Sequence, residues 1–167
     1  MTEGTAHEPE SSSQDTSASQ EQGGEATRIS LFDAVGASDF FVAVVDHFYD
    51  NVVANAVLRP LYPEDLEDAR RHTALFLIQY WGGPATYSEE RGHPRLRMRH
   101  LPFAIGQAER DAWFELMMLA IDDTLAAAPD DSILKHPTEG ADITATARAM
   151  FHDYFEQAST AMINQPA

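Results

Sequence analysis

An all-α domain is what this sequence predicts, and three observations carry the prediction. Apolar residues recur at i, i+3 and i+4 in four long stretches. Nowhere do apolar and polar residues alternate with the period of a half-buried strand. The stretches are separated at prolines and glycines, the residues that stop helices. With 167 residues the chain is long enough for one ordinary domain with its own core, and too short to expect two.

Residues 1–28 stand apart. They are rich in Ser, Thr, Gly, Glu and Gln and hold no Ile, Leu, Val, Phe, Tyr or Trp, so a disordered acidic tail is expected there. Glu3, Glu8, Glu10, Asp15, Glu21 and Glu25 against Arg28 give it a net charge of −5. The folded domain is expected over residues 29–167. Ser30 and Asp33 resemble a capping box with Asp in place of Glu, opening a short helix that Gly36 ends. Ser38 is expected to cap a second helix, on which Phe41, Val44, Val45, Phe48, Tyr49 and Val52 share one face. Pro60 and Pro63 break the chain around Leu61 and Tyr62, which leaves a short connector.

A third helix is expected from about Pro63 to Trp81, with Leu66, Ala69, Thr73, Phe76, Leu77 and Tyr80 inward and Gly82-Gly83-Pro84 as its stop. Residues 84–93 read as a polar loop. Pro94 then suits the first position of a short helix. Pro102 is expected to push Leu101 out of the α region, so that this helix stops near His100. Beyond Gly106 a fifth helix spans roughly 107–128 and buries Trp113, Leu116, Met117, Ala120, Ile121 and Leu125. Pro129 to Gly140 reads as a loop. A last helix over about 140–164 is expected to bury Ile143, Ala147, Met150, Tyr154, Phe155 and Met162.

Charge and composition exclude several classes of function. The net charge of −16, from 27 acidic and 11 basic residues, disfavours nucleic acid and anionic membrane surfaces, whose phosphates are bound with Lys and Arg. No apolar run approaches the roughly 20 residues of a membrane-spanning helix. The opening Met1-Thr2-Glu3-Gly4 lacks the basic and apolar regions of a signal peptide, so a cytoplasmic location is expected. The absence of cysteine removes disulfides, thiolate metal sites, Cys nucleophiles and haem attached through C-x-x-C-H. No G-x-S-x-G, H-E-x-x-H, P-loop or G-x-G-x-x-G pattern is present, and Gly82-Gly83 follows a helix rather than a strand.

What chemistry remains centres on Gly92–Phe103, where two prolines bracket a histidine and three arginines crowd an otherwise acidic chain. His100 sits near a helix end between Leu96 and Phe103, in apolar surroundings. An imidazole so placed serves as a ligand for iron or zinc, or simply as a cation favoured by the helix dipole. Zinc needs three or four protein ligands. Pro94 leaves His93 outside the helix, and His47, His72, His136 and His152 are scattered, so a cofactor that needs one protein ligand, such as haem, fits better. Tyr49, Tyr62 and Trp113 lie on or beside apolar faces and carry polar tips that need partners, whether in an ordinary core or in a site. Phe76, Leu77 and Met117 read as core or as the wall of a cavity. Arg95, Arg97 and Arg99 form either a solvated face or a partner for the carboxylates of an anionic cofactor.

Several runs, taken together and in order, resemble the group II truncated haemoglobins, especially the actinobacterial ones. They are His47-Phe48-Tyr49, Tyr62-Pro63-Glu64-Asp65, Tyr80-Trp81-Gly82-Gly83-Pro84, Thr86-Tyr87-Ser88-Glu89, Arg91 through His100, and Glu109-Arg110-Asp111-Ala112-Trp113. The resemblance covers about residues 30–164 and implies a truncated globin fold, a two-over-two helical sandwich around non-covalent haem b. It implies His100 as the proximal iron ligand, Tyr49 as the distal tyrosine, Tyr62 as a second distal aromatic, and Trp113 as the tryptophan whose N–H enters the distal pocket. Ala69 matches a small residue that leaves the ligand path open, and Phe76 and Phe103 match apolar positions lining the haem. Thr73 stands where relatives usually carry a larger apolar residue, which implies a roomier or wetter pocket. Arg97 and Arg99 would reach toward the haem propionates, and Met117 would join the cavity wall.

The chemistry this implies is tight binding of O₂ and other diatomic ligands, accompanied by NO or peroxide redox chemistry if an external reductase supplies electrons. A gas or redox sensor, or a partner-binding module without turnover, is the alternative. A helical scaffold whose aromatics are all core is the reading from outside haem chemistry. Homo-oligomerisation is left open.

Overall fold

The structure, a computed structural model, describes residues 30–129, 134 and 142–166. The expected acidic tail and most of the loop after Pro129 lie outside the described residues. Every regular element among the described residues is helical.

Helix α1 spans Leu31–Ala34, and Ser30 caps it by accepting the Asp33 amide. The Ser30 hydroxyl also donates to the Asp33 carboxylate at 2.7 Å, so the box closes through side chains. Gly36, at φ 108°, turns the chain so sharply that helix α2, Ala37–Ala54, begins at the next residue. Ser38 therefore lies inside the first turn, and the capping position expected for it belongs to Gly36. The predicted face of α2 is buried throughout, from Phe41 to Val52.

A 3₁₀ turn at Arg59–Leu61 forms the connector. The Arg59 guanidinium gathers the carbonyls of Tyr62, Pro63 and Glu64, which fixes the segment that carries Tyr62. Helix α3 runs Glu67–Tyr80, four residues shorter at its start than expected, because Asp65 takes the Glu67 amide and holds the preceding residues in a turn. It ends in a Schellman motif, with Gly83 N–H donating to Ile78 O at 2.8 Å and Gly82 N–H to Gln79 O at 3.3 Å. A Cβ on Gly83 would lie 2.6 Å from the Phe32 ring and 2.7 Å from Ile78, so α1 packs directly on this turn.

Residues 84–93 are not simply a loop. Helix α4 occupies Thr86–Arg91, with Tyr87 buried against Phe76 and the Gln79 amide bonded to both the Ser88 amide and hydroxyl. Six residues are too few for helical periodicity to show. Helix α5, Leu96–His100, starts after Arg95 at φ 43° rather than at Pro94. Leu101 stays in the α region (φ −54°, ψ −35°), contrary to the sequence expectation. The helix ends there because Pro102 has no amide to continue the ladder.

Helix α6, Gln107–Ala126, begins with Glu109 reaching back to the Gly106 amide at 2.8 Å. Helix α7, Ile143–Met162, is capped by Asp142. Two apolar assignments fail: Tyr80 is 52% and Met150 45% exposed. On α7 the buried row is Ala147, Phe151, Phe155 and Ser159, one residue on from Met150.

Helix α2 packs on α3 along one flank and on α6 along the other, and α6 packs on α7, which gives the two-over-two arrangement. At its centre Phe40 stacks on Phe151, and Phe41 meets both edge to face. Arg70 ties α3 to Asp46 and Asp50 of α2, and Arg148 ties α7 to Asp122 of α6. Such exposed pairs contribute about 0–1 kcal/mol each, so apolar burial holds the layers together. No helix among the described residues is long and apolar enough to cross a membrane.

Candidate functional site

The helices leave a cavity of about 380 Å³, within the roughly 300–1,000 Å³ typical of small-molecule sites. Tyr49, Tyr62, Ala69, Thr73, Phe76, Arg99, His100, Phe103, Trp113 and Met117 all line it, although they come from five separate parts of the chain. Arg97 is not among the lining residues. On α5 the residues that line the cavity are Leu96, Arg99 and His100, at i, i+3 and i+4, which leaves Arg97 on the solvent side.

Three polar-tipped aromatics meet in one part of the wall. The Tyr49 and Tyr62 rings lie edge to face, 5.6 Å apart. Trp113 packs on Phe48 of α2 and Phe155 of α7, which orients its indole toward the Tyr62 hydroxyl. The Tyr49 hydroxyl shares a hydrogen bond of 3.0 Å with Thr73 Oγ1. Burial pushes the Tyr49 phenol above its ordinary range, only partly offset by Thr73 and by the charge of Arg70 over its ring. Burial raises Tyr62 further, the adjacent Tyr49 adds to this, and the Trp113 N–H opposes it. Both phenols therefore keep their protons at neutral pH and are available as donors.

His100 is arranged differently. Its Nδ1 donates to the Leu96 carbonyl at 2.7 Å, since a carbonyl can only accept. The neutral ring then carries its lone pair on Nε2, the tautomer a metal requires. Among the described residues no three His, Asp or Glu side chains gather to hold a bare ion, so a metal here must bring most of its ligands with it.

Charged groups also line the cavity. Arg99 does so while bonding the carbonyls of Pro94 and Arg91. His72 and Arg91, 3.5 Å apart, line it as well, as do Arg110 and Glu109. Sequence reasoning missed His72 and Arg91. His72 is three residues after Ala69 and four before Phe76, so the helical spacing already placed it on the cavity side. Arg91 was hidden by the unrecognised α4. Tyr154 and Phe155 of α7 complete the wall.

An all-helical sandwich whose largely apolar cavity presents an imidazole with a free Nε2 is the arrangement of a globin site, and similarity to known proteins agrees. The profile of the bacterial-like globins matches residues 30–147, and the chain belongs to that family, in its group II truncated haemoglobin branch. It is 44% identical to the group 2 truncated hemoglobin YjbI of Bacillus subtilis over 91 residues, 54% of this chain and 68% of that one. The crystal structure of a thermostable hemoglobin from the actinobacterium Thermobifida fusca matches with a TM-score of 0.70 and 43% identity, over 83% of this chain and 100% of that one. A truncated oxygen-avid haemoglobin from Bacillus subtilis matches with a TM-score of 0.65 and 34% identity, over 81% and 100%. The cofactor of this family is non-covalent haem b. The residues fit it: a free imidazole nitrogen for iron, apolar walls for the ring, and cationic side chains for carboxylates.

Proposed function

We propose that the chain binds O₂ tightly on a haem b ligated by His100, with Tyr49, Tyr62 and Trp113 as hydrogen-bond donors to the ligand. The observation that carries this reading is the convergence of His100 and the three polar-tipped aromatics on one cavity. When bound, haem supplies an iron with one coordination position open to a diatomic ligand.

The chain supplies everything else. Leu96 O holds the His100 ring in the tautomer that presents Nε2. Leu96, Phe76, Met117 and Phe103 offer apolar surface for the ring, where burial provides most of the affinity. Arg99, Arg91 and His72 are placed to meet anionic groups, and pairs of this kind orient more than they hold. The Tyr49 and Tyr62 hydroxyls, and the Trp113 N–H where it turns from the Tyr62 oxygen to the ligand, would stabilise an O₂ bearing partial negative charge. Thr73 modulates the first through its 3.0 Å hydrogen bond with the Tyr49 hydroxyl: with Thr73 as donor, the phenol proton is free for the ligand. One hydrogen bond worth roughly 1.4 kcal/mol changes an affinity tenfold, so two or three donors imply slow release. The Bacillus subtilis neighbour described as oxygen-avid supports that expectation.

Slow release suits redox turnover of O₂, NO or peroxide with electrons from a separate reductase better than simple transport. The first test is to add haem to purified apoprotein. A histidine-ligated spectrum is expected for the wild type, and its loss in His100→Ala. The same histidine spectrum in His100→Ala would remove the ligand assignment. Turnover with a reductant and NO or peroxide would then establish an enzyme, and its absence a binding or sensing protein.

A further inference from the structure

The five residues of α5 that carry His100 include none that is buried. Leu96 and His100 face the cavity and are only partly buried within the protein, so hydrogen bonds share in fixing where the imidazole sits. Downstream of His100 the chain is seized by one side chain, Asn164, just beyond the end of α7. Its Nδ2 donates to the His100 carbonyl at 3.2 Å and to the Phe103 carbonyl at 2.8 Å. Its Oδ1 accepts from the Ile105 amide at 3.1 Å. The backbone amides of Asn164 and Gln165 both donate to the Ile105 carbonyl, at 2.9 and 3.1 Å. One amide side chain thus grips both flanks of Pro102, where the chain has no amide of its own to offer.

We propose that Asn164 is a positioning residue for the proximal histidine, setting the height and tilt of His100 through its main-chain carbonyl. The inference rests on the reading of His100 as the iron ligand. Its chemistry is specific to an amide. The grip needs two donor hydrogens on one atom and an acceptor on the other, which asparagine supplies and aspartate does not. Two bonds end on carbonyls within the loop that α5 leaves behind; without them the His100 carbonyl keeps only the Phe103 amide, at 3.1 Å, and His100 can shift or tilt. Leu96 O still fixes the tautomer in that case, and the change is one of position rather than protonation.

The test uses Asn164→Ala and Asn164→Asp in the haem-loaded full chain. The iron–histidine stretching band of the ferrous protein and the rate of haem transfer to a scavenging protein are measured. Asn164→Ala is expected to shift or broaden the band and to speed haem loss about tenfold, the effect of one or two hydrogen bonds. Asn164→Asp is expected to do at least as much, because a carboxylate would face two carbonyl oxygens. Lower thermal stability with an unmoved band would make Asn164 merely structural and overturn the proposal. Unchanged band and haem loss in both variants would overturn it as well. If either variant fails to fold, hydrogen exchange at the Ile105 amide, which donates to Asn164 Oδ1, takes its place in the wild-type holoprotein. Strong protection is expected, and exchange as fast as at a free loop would defeat the proposal. A wild-type spectrum with no iron–histidine band would instead defeat the ligand assignment itself, so the two failures are distinguishable.

Discussion

The two sides of the cavity are built on different principles. The tyrosine–tryptophan cluster belongs to the hydrophobic core: Tyr49 is 3% exposed, lies against the almost fully buried Phe48, and Trp113 packs on both Phe48 and Phe155. The His100 side is a five-residue helix that faces the cavity, held by hydrogen bonds from Arg99, Asn164 and its own imidazole. Close packing places side chains to within fractions of an ångström and resists substitution. A polar grip places a backbone equally well but contributes little to global stability, since each bond nets only about 0.5–1.5 kcal/mol. One wall is therefore inseparable from the fold, whereas the other can be altered with the fold intact.

Substitutions on each side should break or sharpen this contrast. Phe48→Ala is expected to have the largest effect, destabilising the protein by about 3–5 kcal/mol and loosening Tyr49 and Trp113 together. Denaturant midpoints would check it, and a loss under 1 kcal/mol would mean that the aromatic wall is not part of the core. Tyr49→Phe and Trp113→Phe are each expected to speed O₂ dissociation about tenfold, corresponding to ~1.4 kcal/mol, with the fold retained. Stopped-flow off-rates at the wild-type value in both would dismiss the donor role.

His100→Ala sharpens the comparison from the other side. It is expected to cost the apoprotein no more than about 1.5 kcal/mol, the worth of the lost hydrogen bond to the Leu96 carbonyl. A fall comparable to that of Phe48→Ala would contradict the polar-grip picture. Arg97→Gln, on the solvent face of α5, should change neither haem affinity nor stability in a haem titration, whereas Arg99→Gln should weaken both slightly.

A pH dependence follows from the buried phenols. Tyr49, Tyr62 and Tyr154 all hold their protons more tightly in the fold than in the unfolded chain, where tyrosine titrates near pH ~10. Above that pH the unfolded state loses protons that the native state keeps, so stability is full below about pH 10 and falls as pH rises toward the raised values. Chemical unfolding at pH 8, 10 and 11 would show this, and a midpoint rising over that interval would refute it.

Long helices and their buried faces were legible in the sequence because their periodicity runs over many turns. The faces of α2 and α6 stand out as repeated apolar positions, and the Gly82-Gly83 stop is a simple local signal. Three features escaped for physical reasons. Helix α4 is too short to show a period and is held by the Gln79–Ser88 pair, a contact between residues nine apart. The shift from Met150 to Phe151 depends on how α7 rolls against α6, which no local pattern encodes. Arg97 and Arg99 look alike in sequence, and only the roll of α5 sends one outward and the other to the cavity. The resemblance to a family supplied the roles of Tyr49, Tyr62 and Trp113, whose residue types alone suited an ordinary core equally well.

Gly83 has one more consequence. With no room for even a methyl group between the α3 terminus and Phe32, the seam there behaves as a rivet rather than a hinge. Ser30, at the head of α1, is thereby anchored to the body of the domain.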